Sequence, residues 1–176
     1  MYADKQIINI EIERMKTIAI IIAGILFFLL SGFQPSDRKE RKMQRQKDMI
    51  ELIESGQFRF VALSARSNLG NFNNLSANYE LVFDSSRVKA YLAYYGRAYS
   101  VTYGGDGGVK FDLPAYRIDK KWNKRKKMFT ITTEVSDSQD SYSIYLTASP
   151  SGYGDLKINF RNRQMISYYG RIERLK

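Results

Sequence analysis

After Gly56 the sequence alternates between apolar and polar side chains in a series of short runs, and this alternation constrains the fold more than any other feature. In the first run, Phe58, Phe60 and Ala62 recur at every second position, with Arg59 among the side chains between them. Successive side chains of a β-strand point to opposite faces of a sheet, so this period predicts strands that bury one face.

Eight further runs have the composition of strands and are separated by turn-forming residues. The predicted strands are 58–65, 79–83, 87–92, 109–113, 116–119, 129–135, 142–146, 156–160 and 165–169. The asparagine-rich segment 68–76 is predicted to be a loop. Short strands joined by tight turns favour a mainly β (α+β) fold, either an antiparallel meander sheet or a partly closed barrel, covered by one N-terminal helix.

The covering helix is predicted from a different period before Gly56. Ser36 can cap its first turn, and the pattern runs from Asp37 to Glu54, with the glycine as a terminator. Its apolar side chains fall at spacings of three, four and seven: Met43, Met49, Ile50, Leu52 and Ile53. This stripe is expected to pack on the sheet, while the basic first half is either a solvated face or a contact for lipid head groups or nucleic acid.

An almost wholly apolar segment, Thr17–Phe33, follows Met15 and Lys16 in the order typical of a secretory signal. The chain is therefore divided into an upstream extension (1–14), a signal peptide (15–32), a basic amphipathic helix (33–56) and an antiparallel β domain (57–176). An uncleaved inner-membrane anchor and a buried helix are the alternatives, because about 16–17 apolar residues lie at the lower edge of the length that spans a bilayer. We expect an exported, periplasmic or envelope-associated protein.

Composition excludes several classes of chemistry. The sequence has no histidine and no cysteine, which rules out zinc sites built from them, cysteine nucleophiles and Ser-His-Asp triads. No two acidic residues are marked by their spacing as a general acid and base, so we expect no enzyme activity, metal or cofactor. The net charge of +10 favours anionic partners, and export argues against nucleic acid.

Tyrosine and glycine crowd residues 91–112, which carry the main candidate binding site. Its proposed residues are Tyr95, Arg97, Tyr99, Tyr103 and Asp106, joined by Tyr168 and Arg171 from a second aromatic and glycine-containing stretch. Aromatic rings with a cation suit a sugar or another ring-bearing ligand, and glycines allow close approach. The alternative is structural, with tyrosines packed in the core beside a conformationally demanding loop. Calcium at this loop would require further carboxylates.

A second candidate contact lies in the basic run 120–127, which is predicted to be a hairpin tip. It combines one aromatic ring with several cations: Trp122, Lys124, Arg125, Lys126 and Lys127. This combination suits an anionic lipid or glycan surface. The alternative is a solvated turn.

Two aromatic and glycine-containing motifs stand out in the sequence. The first joins Leu-Ala-Tyr-Tyr-Gly-Arg-Ala-Tyr-Ser at 92–100 with Tyr-Gly-Gly-Asp-Gly-Gly-Val-Lys-Phe at 103–111, and the second is Asn-Arg-Gln-Met-Ile-Ser-Tyr-Tyr-Gly-Arg-Ile at 162–172. Both resemble motifs of a bacterial family catalogued as domain of unknown function 4251. The resemblance extends from the helix to the C-terminus. Ala93 departs from it, because the family pattern has proline there, so a looser turn is expected. The resemblance implies export to the envelope and a mostly β domain, and it implies no activity.

These observations predict an exported, non-enzymatic domain that binds an envelope ligand, such as a glycan, a lipid or an anionic group. The alternative is a structural or interaction module that pairs with another envelope protein through a sheet edge. A concave pocket lined by Tyr95, Tyr99 and Arg97 favours the binding module, and a flat exposed apolar patch favours the interaction module.

Overall fold

The computed structural model describes residues 14, 16, 37–68, 70–97 and 107–175. The chain divides into two compact units, residues 1–42 and 43–176, and the second contains the later part of the helix and all described strands. The helix, α1, spans Asp37–Ser55, within one residue of its predicted end. It stops at Gly56, whose φ of 72° suits glycine and whose N–H donates to the Ile53 carbonyl at 3.2 Å.

In the described ranges, nine strands form one antiparallel sheet. They are β1 Gln57–Ser67, β2 Phe72–Asp84, β3 Arg87–Leu92, β4 Val109–Pro114, β5 Ile118–Asn123, β6 Met128–Ser136, β7 Ser141–Ala148, β8 Tyr153–Phe160 and β9 Ile166–Arg174. Their order is β4-β3-β2-β1-β9-β8-β7-β6-β5. Two meanders are thus joined where β1 pairs with β9, and the predicted antiparallel meander is confirmed.

The sheet curls into a half-barrel that buries its concave face. Phe111 of β4 and Tyr142 of β7 meet across this face with ring centroids 4.4 Å apart, although five strands separate β4 from β7 in the sheet. The alternation that predicted the strands also determines which side chains are buried in the core. In β3, Val88, Ala90 and Leu92 are buried and the residues between them are exposed. The curled meander matches the predicted partly closed barrel.

The last turns of α1 pack on the core. Ile53 is fully buried and Leu52 nearly so, whereas Ile50, part of the same predicted stripe, is only half-buried. The Nζ of Lys120 in β5 donates to the carbonyl oxygens of Ile53 at 3.2 Å and Glu54 at 2.9 Å. One lysine of the basic run 120–127 therefore caps the C-terminal end of the helix, where a cation satisfies carbonyls that lack helical partners.

Two strands, β2 and β9, extend furthest beyond the sequence pattern, and all the other described strands except β3 are one to three residues longer than predicted. β2 begins at Phe72, inside the predicted loop 68–76, because residues 72–74 pair with β1 beyond a bulge that follows Ala62. β9 continues to Arg174 through Gly170, where a Cβ atom would lie 2.6 Å from the Phe60 ring. Because a glycine carries no side chain, it cannot show the apolar–polar alternation of a strand. The strand predicted from the sequence therefore ended before Gly170.

Most of the segments proposed as extension and signal or anchor, 1–14 and 15–32, lie outside the described residues. Among the residues that the structure describes, no helix is long and apolar enough to cross a bilayer. Export and cleavage stay predictions.

Candidate functional site

Four connections gather at the end of the half-barrel opposite Gly56, and we call this the loop end. They join β1 to β2, β3 to β4, β6 to β7 and β8 to β9. Since neighbouring strands are antiparallel, β3 ends here at Leu92 and β4 begins here at Val109. The described parts of the tyrosine and glycine segment, residues 93–97 and 107–108, therefore lie near the loop 161–165.

An open recess of about 280 Å³ lies at the loop end, and we call it the tyrosine recess. Tyrosines, glycine backbone and one cation dominate its lining: Tyr79, Tyr91, Tyr94, Tyr95, Gly107, Gly108 and Lys110. The Tyr91 ring stacks on Tyr79 at 5.6 Å, and the Nζ of Lys110 lies 5.0 Å from the Tyr91 ring centroid. Tyr91 is 47% exposed and Tyr95 is 44% exposed. Such a surface can receive a ring that carries a polar or negative group.

Tyr94 fixes the backbone that borders this recess. Its hydroxyl lies 2.9 Å from the carbonyl oxygens of both Arg97 and Gln164, and its ring meets Phe160 edge-on at 5.5 Å. The Gln164 N–H also donates to the Arg97 carbonyl at 3.0 Å. Gly96 makes room for the ring, because a Cβ atom there would lie 2.6 Å from the Tyr94 Cζ. The backbone of Arg97 is thus anchored while its side chain is exposed.

Tyr168 supports the same segment from within the core. It is 1% exposed, and its hydroxyl donates to the Ala93 carbonyl at 2.8 Å. Burial, followed by the neighbouring Tyr94 and Tyr95, raises the pKa of Tyr168 above its ordinary value of 10. The prediction that Tyr168 contacts a ligand at a wet surface is corrected, because alternation along β9 turns this ring inward and Tyr169 outward.

Asp140 and Arg163 tie two other loops to the recess. The Asp140 carboxylate is buried, and its Oδ1 accepts three backbone N–H groups at 2.8–3.2 Å, those of Ser141, Arg161 and Asn162. Its Oδ2 lies 3.9 Å from the Nε of Arg163, whose Nη1 donates to the Gly108 carbonyl at 3.0 Å. These contacts position Gly108 in the recess wall.

Tyr142 packs below the loop end against Phe111 and Phe160. Burial, and then the negative charges of Asp137 and Asp140, raise the pKa of Tyr142 to about 12. The phenol therefore stays neutral to higher pH than an ordinary tyrosine does, and it belongs to the packing under the site.

The structure brings Tyr95 and Arg97 to the loop end. Tyr95 lines the tyrosine recess, while Arg97 lies two residues further on, with an exposed side chain. The other candidates from this segment, Tyr99, Tyr103 and Asp106, lie outside the described residues. The segment 93–97 is not a strand, so regular alternation does not place its side chains.

Arg171 lies apart from this group, on the outer face of β9, with its Nε 2.6 Å from the Glu173 Oε1. Conversely, sequence reasoning missed Tyr79, Tyr91 and Lys110 as recess residues. Tyr91 pairs with Lys110 across β3 and β4. Only the strand register shows this neighbourhood, so no local signal could have revealed it.

In the basic hairpin, the aromatic ring and the cations of the second candidate contact lie in different environments. Trp122 is half-buried, and its ring lies 4.7 Å from that of Phe129 on the core side. The cations of the turn are all exposed: Lys124, Arg125, Lys126 and Lys127. The Asn123 Oδ1 accepts the Lys126 N–H at 2.9 Å and shapes the turn. Trp122 thus packs on the sheet, and the cations alone face solvent.

Acidic side chains near the site shape turns. The Asp137 Oδ1 accepts the N–H groups of Gln139 and Asp140 at 2.8 Å each. Within the described ranges, no group of three or more acidic side chains converges to hold a metal ion.

The fold and the site define a class of protein: an antiparallel half-barrel, packed against one helix, with a tyrosine-lined recess among its loops. The chain belongs to the family DUF4251, described as a domain of unknown function, whose sequence profile matches residues 40–172. The resemblance seen in the motifs is confirmed.

Comparison with solved structures agrees with this fold. The chain is similar to a DUF4251 family protein from Bacteroides eggerthii DSM 20697, with a TM-score of 0.58 and 18% sequence identity over 74% of this chain and 87% of that one. At this identity the likeness supports the fold alone. Comparison with curated proteins gave no match.

Proposed function

We propose that this domain is a non-enzymatic binding module of the cell envelope whose ligand enters the tyrosine recess. One observation carries the proposal: the Tyr91 ring is stacked on Tyr79 and approached by the Lys110 ammonium, yet nearly half of it is exposed. A surface that combines open aromatic area with a cation is suited to recognition.

The recess favours a ring-bearing ligand with a polar or anionic substituent, such as a sugar unit of an envelope glycan. Tyrosine faces supply flat apolar contact, while Lys110 and the backbone of Gly107 and Gly108 supply charge and hydrogen bonds. The volume of about 280 Å³ lies just below the range of roughly 300–1,000 Å³ for small-molecule sites, which suits a single small group.

The described backbone around the recess supports binding because hydrogen bonds hold it at Ala93, Arg97 and Gly108. Tyr94, Tyr168 and Arg163 each hold backbone of the recess or its border by hydrogen bonds. A site whose backbone is held before the ligand arrives loses less conformational entropy on binding.

The export predicted from the sequence supports an envelope role for the proposed module. The apolar segment Thr17–Phe33 has the order of parts of a secretory signal, with a membrane anchor as the alternative. The net charge of +10 favours anionic ligands and surfaces in that compartment.

The experiment is a titration of the full chain with an N-acetylglucosamine–N-acetylmuramic acid disaccharide, which carries rings and one carboxylate, followed by nuclear magnetic resonance. Tyr95→Ala and Lys110→Gln should each weaken binding. Tyr116→Ala, at a ring that is 98% exposed outside the recess, is the matched control and should leave it unchanged. Shifts that map elsewhere, or an equal loss in the control, would refute the recess as the site.

A second candidate function is pairing with another envelope protein through a sheet edge. β5 pairs with β6 only as far as Thr133, so residues 134–136 of β6 have no partner on the β5 side among the described strands. An added strand can bond to such an edge. Tyr116 lines the same surface pocket as Glu134 of this edge. A photo-crosslinker at Tyr116 should therefore capture the partner of the edge, whereas one at Tyr91 should capture a ligand of the recess.

A further inference from the structure

A second groove of about 310 Å³ lies on the outer face of the sheet, over strands β1, β9 and β8, and we call it the outer groove. Its side chains include two cations, two aromatic rings and one carboxylate: Arg66, Lys157, Phe72, Tyr169 and Asp155. It shares no lining residue with the tyrosine recess.

Strand register places the two cations on either side of a serine. Arg66 of β1 pairs with Ser167 of β9, which pairs with Lys157 of β8. Neighbouring strands lie about 4.8 Å apart, so the two cationic residues are separated by roughly 10 Å across the sheet. Both are exposed, and neither forms an ion pair with another described residue. An anion over Ser167 would meet a cation on each side.

Exposed aromatic rings border the position over Ser167 in the outer groove. Phe72 is 58% exposed and pairs with Arg66. Tyr169 is 45% exposed, and its ring lies parallel to that of Tyr153, at 5.8 Å and an interplanar angle of 5°. Grouped aromatic exposure beside cations marks an interaction surface more often than a single exposed ring does.

Asp155 restricts the kinds of ligand that the outer groove can bind. It pairs with Tyr169 across β8 and β9 and is exposed in the groove. A carboxylate in the same groove, two residues from Lys157, repels a simple polyanion, but it accepts hydrogen bonds from hydroxyl groups. The groove therefore favours a ligand that offers one negative group, a flat ring and hydroxyls together.

We propose that the outer groove binds a carboxylated sugar. The sugar carboxylate lies over Ser167 between Arg66 and Lys157, its ring contacts Phe72 and Tyr169, and its hydroxyls face the carboxylate opposite. This site is independent of the tyrosine recess, and its test uses different residues.

The test is a calorimetric titration of the full chain with the methyl glycoside of galacturonic acid, which carries one carboxylate on one sugar ring. Arg66→Gln and Lys157→Gln should each weaken binding about tenfold, as expected for loss of a charge-assisted hydrogen bond. Phe72→Ala should weaken it several-fold. Lys89→Gln is the matched control, because this exposed lysine of β3 lies outside the groove and its loss changes the net charge equally.

Asp155→Asn separates sugar recognition from simple charge. It should weaken binding of the galacturonoside and strengthen binding of a glutamic acid hexamer, which carries several carboxylates without rings or hydroxyls. The methyl ester of the galacturonoside should bind at least about tenfold more weakly than the acid. Absence of galacturonoside binding, equal binding of its methyl ester, or an equal loss in Lys89→Gln would each overturn the proposal.

Discussion

The hydroxyl of Tyr168 donates a hydrogen bond to the carbonyl oxygen of Ala93 at 2.8 Å, joining the last strand to the segment that follows β3. The phenol is buried at this point, so the carbonyl has a partner where water does not reach the Tyr168 ring. A tyrosine from one motif thereby supports the backbone beside the candidate site formed by the other motif.

Tyr168→Phe should lower the free energy of unfolding by about 1–3 kcal/mol, because the Ala93 carbonyl loses its partner while the ring volume is kept. It should also weaken ligand binding at the tyrosine recess. Chemical denaturation measures the first effect. Tyr169→Phe, on the exposed outer face, is the control and should stay within about 0.5 kcal/mol of the wild type. A neutral Tyr168→Phe variant would show that the hydrogen bond contributes nothing.

Truncation of Ile53 tests the docking of α1. This side chain is fully buried, so Ile53→Ala should cost about 2–5 kcal/mol of unfolding free energy. Met43→Ala removes a 51% exposed side chain of the same helix and should change stability by less than about 0.5 kcal/mol. Similar small losses in both variants, measured by urea denaturation, would mean that the helix does not pack on the sheet.

Lys120→Met tests the cation at the end of α1. The substitution keeps most of the apolar stem and removes the ammonium that caps Ile53 and Glu54, so we expect a loss of about 0.5–1.5 kcal/mol. Lys121→Met removes an equal charge from an exposed neighbour and serves as the control. The melting temperatures of the two variants are compared by thermal unfolding. Equal melting temperatures would show that the Lys120 ammonium does not stabilise the end of α1.

Alkaline pH should destabilise the domain through Tyr142. Its pKa is raised in the folded state, so the stabilising contribution is fully present below the ordinary pKa of 10 and is lost as pH rises towards about 12. At about 1.4 kcal/mol per pH unit between the two pKa values, the loss amounts to roughly 2 kcal/mol at pH 12, where half of the folded molecules have also released this proton. Tyr142→Phe should flatten the decline above pH 10 in denaturation series, whereas Tyr145→Phe, at an exposed ring, should not. Parallel declines in all three proteins would contradict this account.

Much of the fold could be predicted because its signals are local. The helix end at Gly56 and the hairpin of β2 and β3 follow from period, capping and turn residues. The pairing of β1 with β9 joins residues more than a hundred positions apart, and no local pattern specifies it. The curl that brings Phe111 against Tyr142 follows from that long-range pairing and was predicted only as one of two options.

The site was predictable only in part, for the same reason. The crowding of tyrosines identified Tyr95 and the segment around it, but composition cannot tell an inward ring from an outward one. Tyr168 is a core residue because of its position in β9, and Trp122 is half-buried against the core because Phe129 lies opposite it. Lys110 lies in the recess because it pairs with Tyr91 across β3 and β4, and the sequence does not show this pairing.

The affinity of the Tyr95→Ala variant for the N-acetylglucosamine–N-acetylmuramic acid disaccharide, measured by calorimetry on the full chain, tests the tyrosine recess most directly. We predict binding about tenfold weaker than in the wild type, because a half-exposed aromatic contact is lost, with the melting temperature unchanged. Tyr116→Ala should bind as the wild type does. An affinity unaffected by Tyr95→Ala, or a wild-type chain that does not bind the disaccharide, would contradict the central claim.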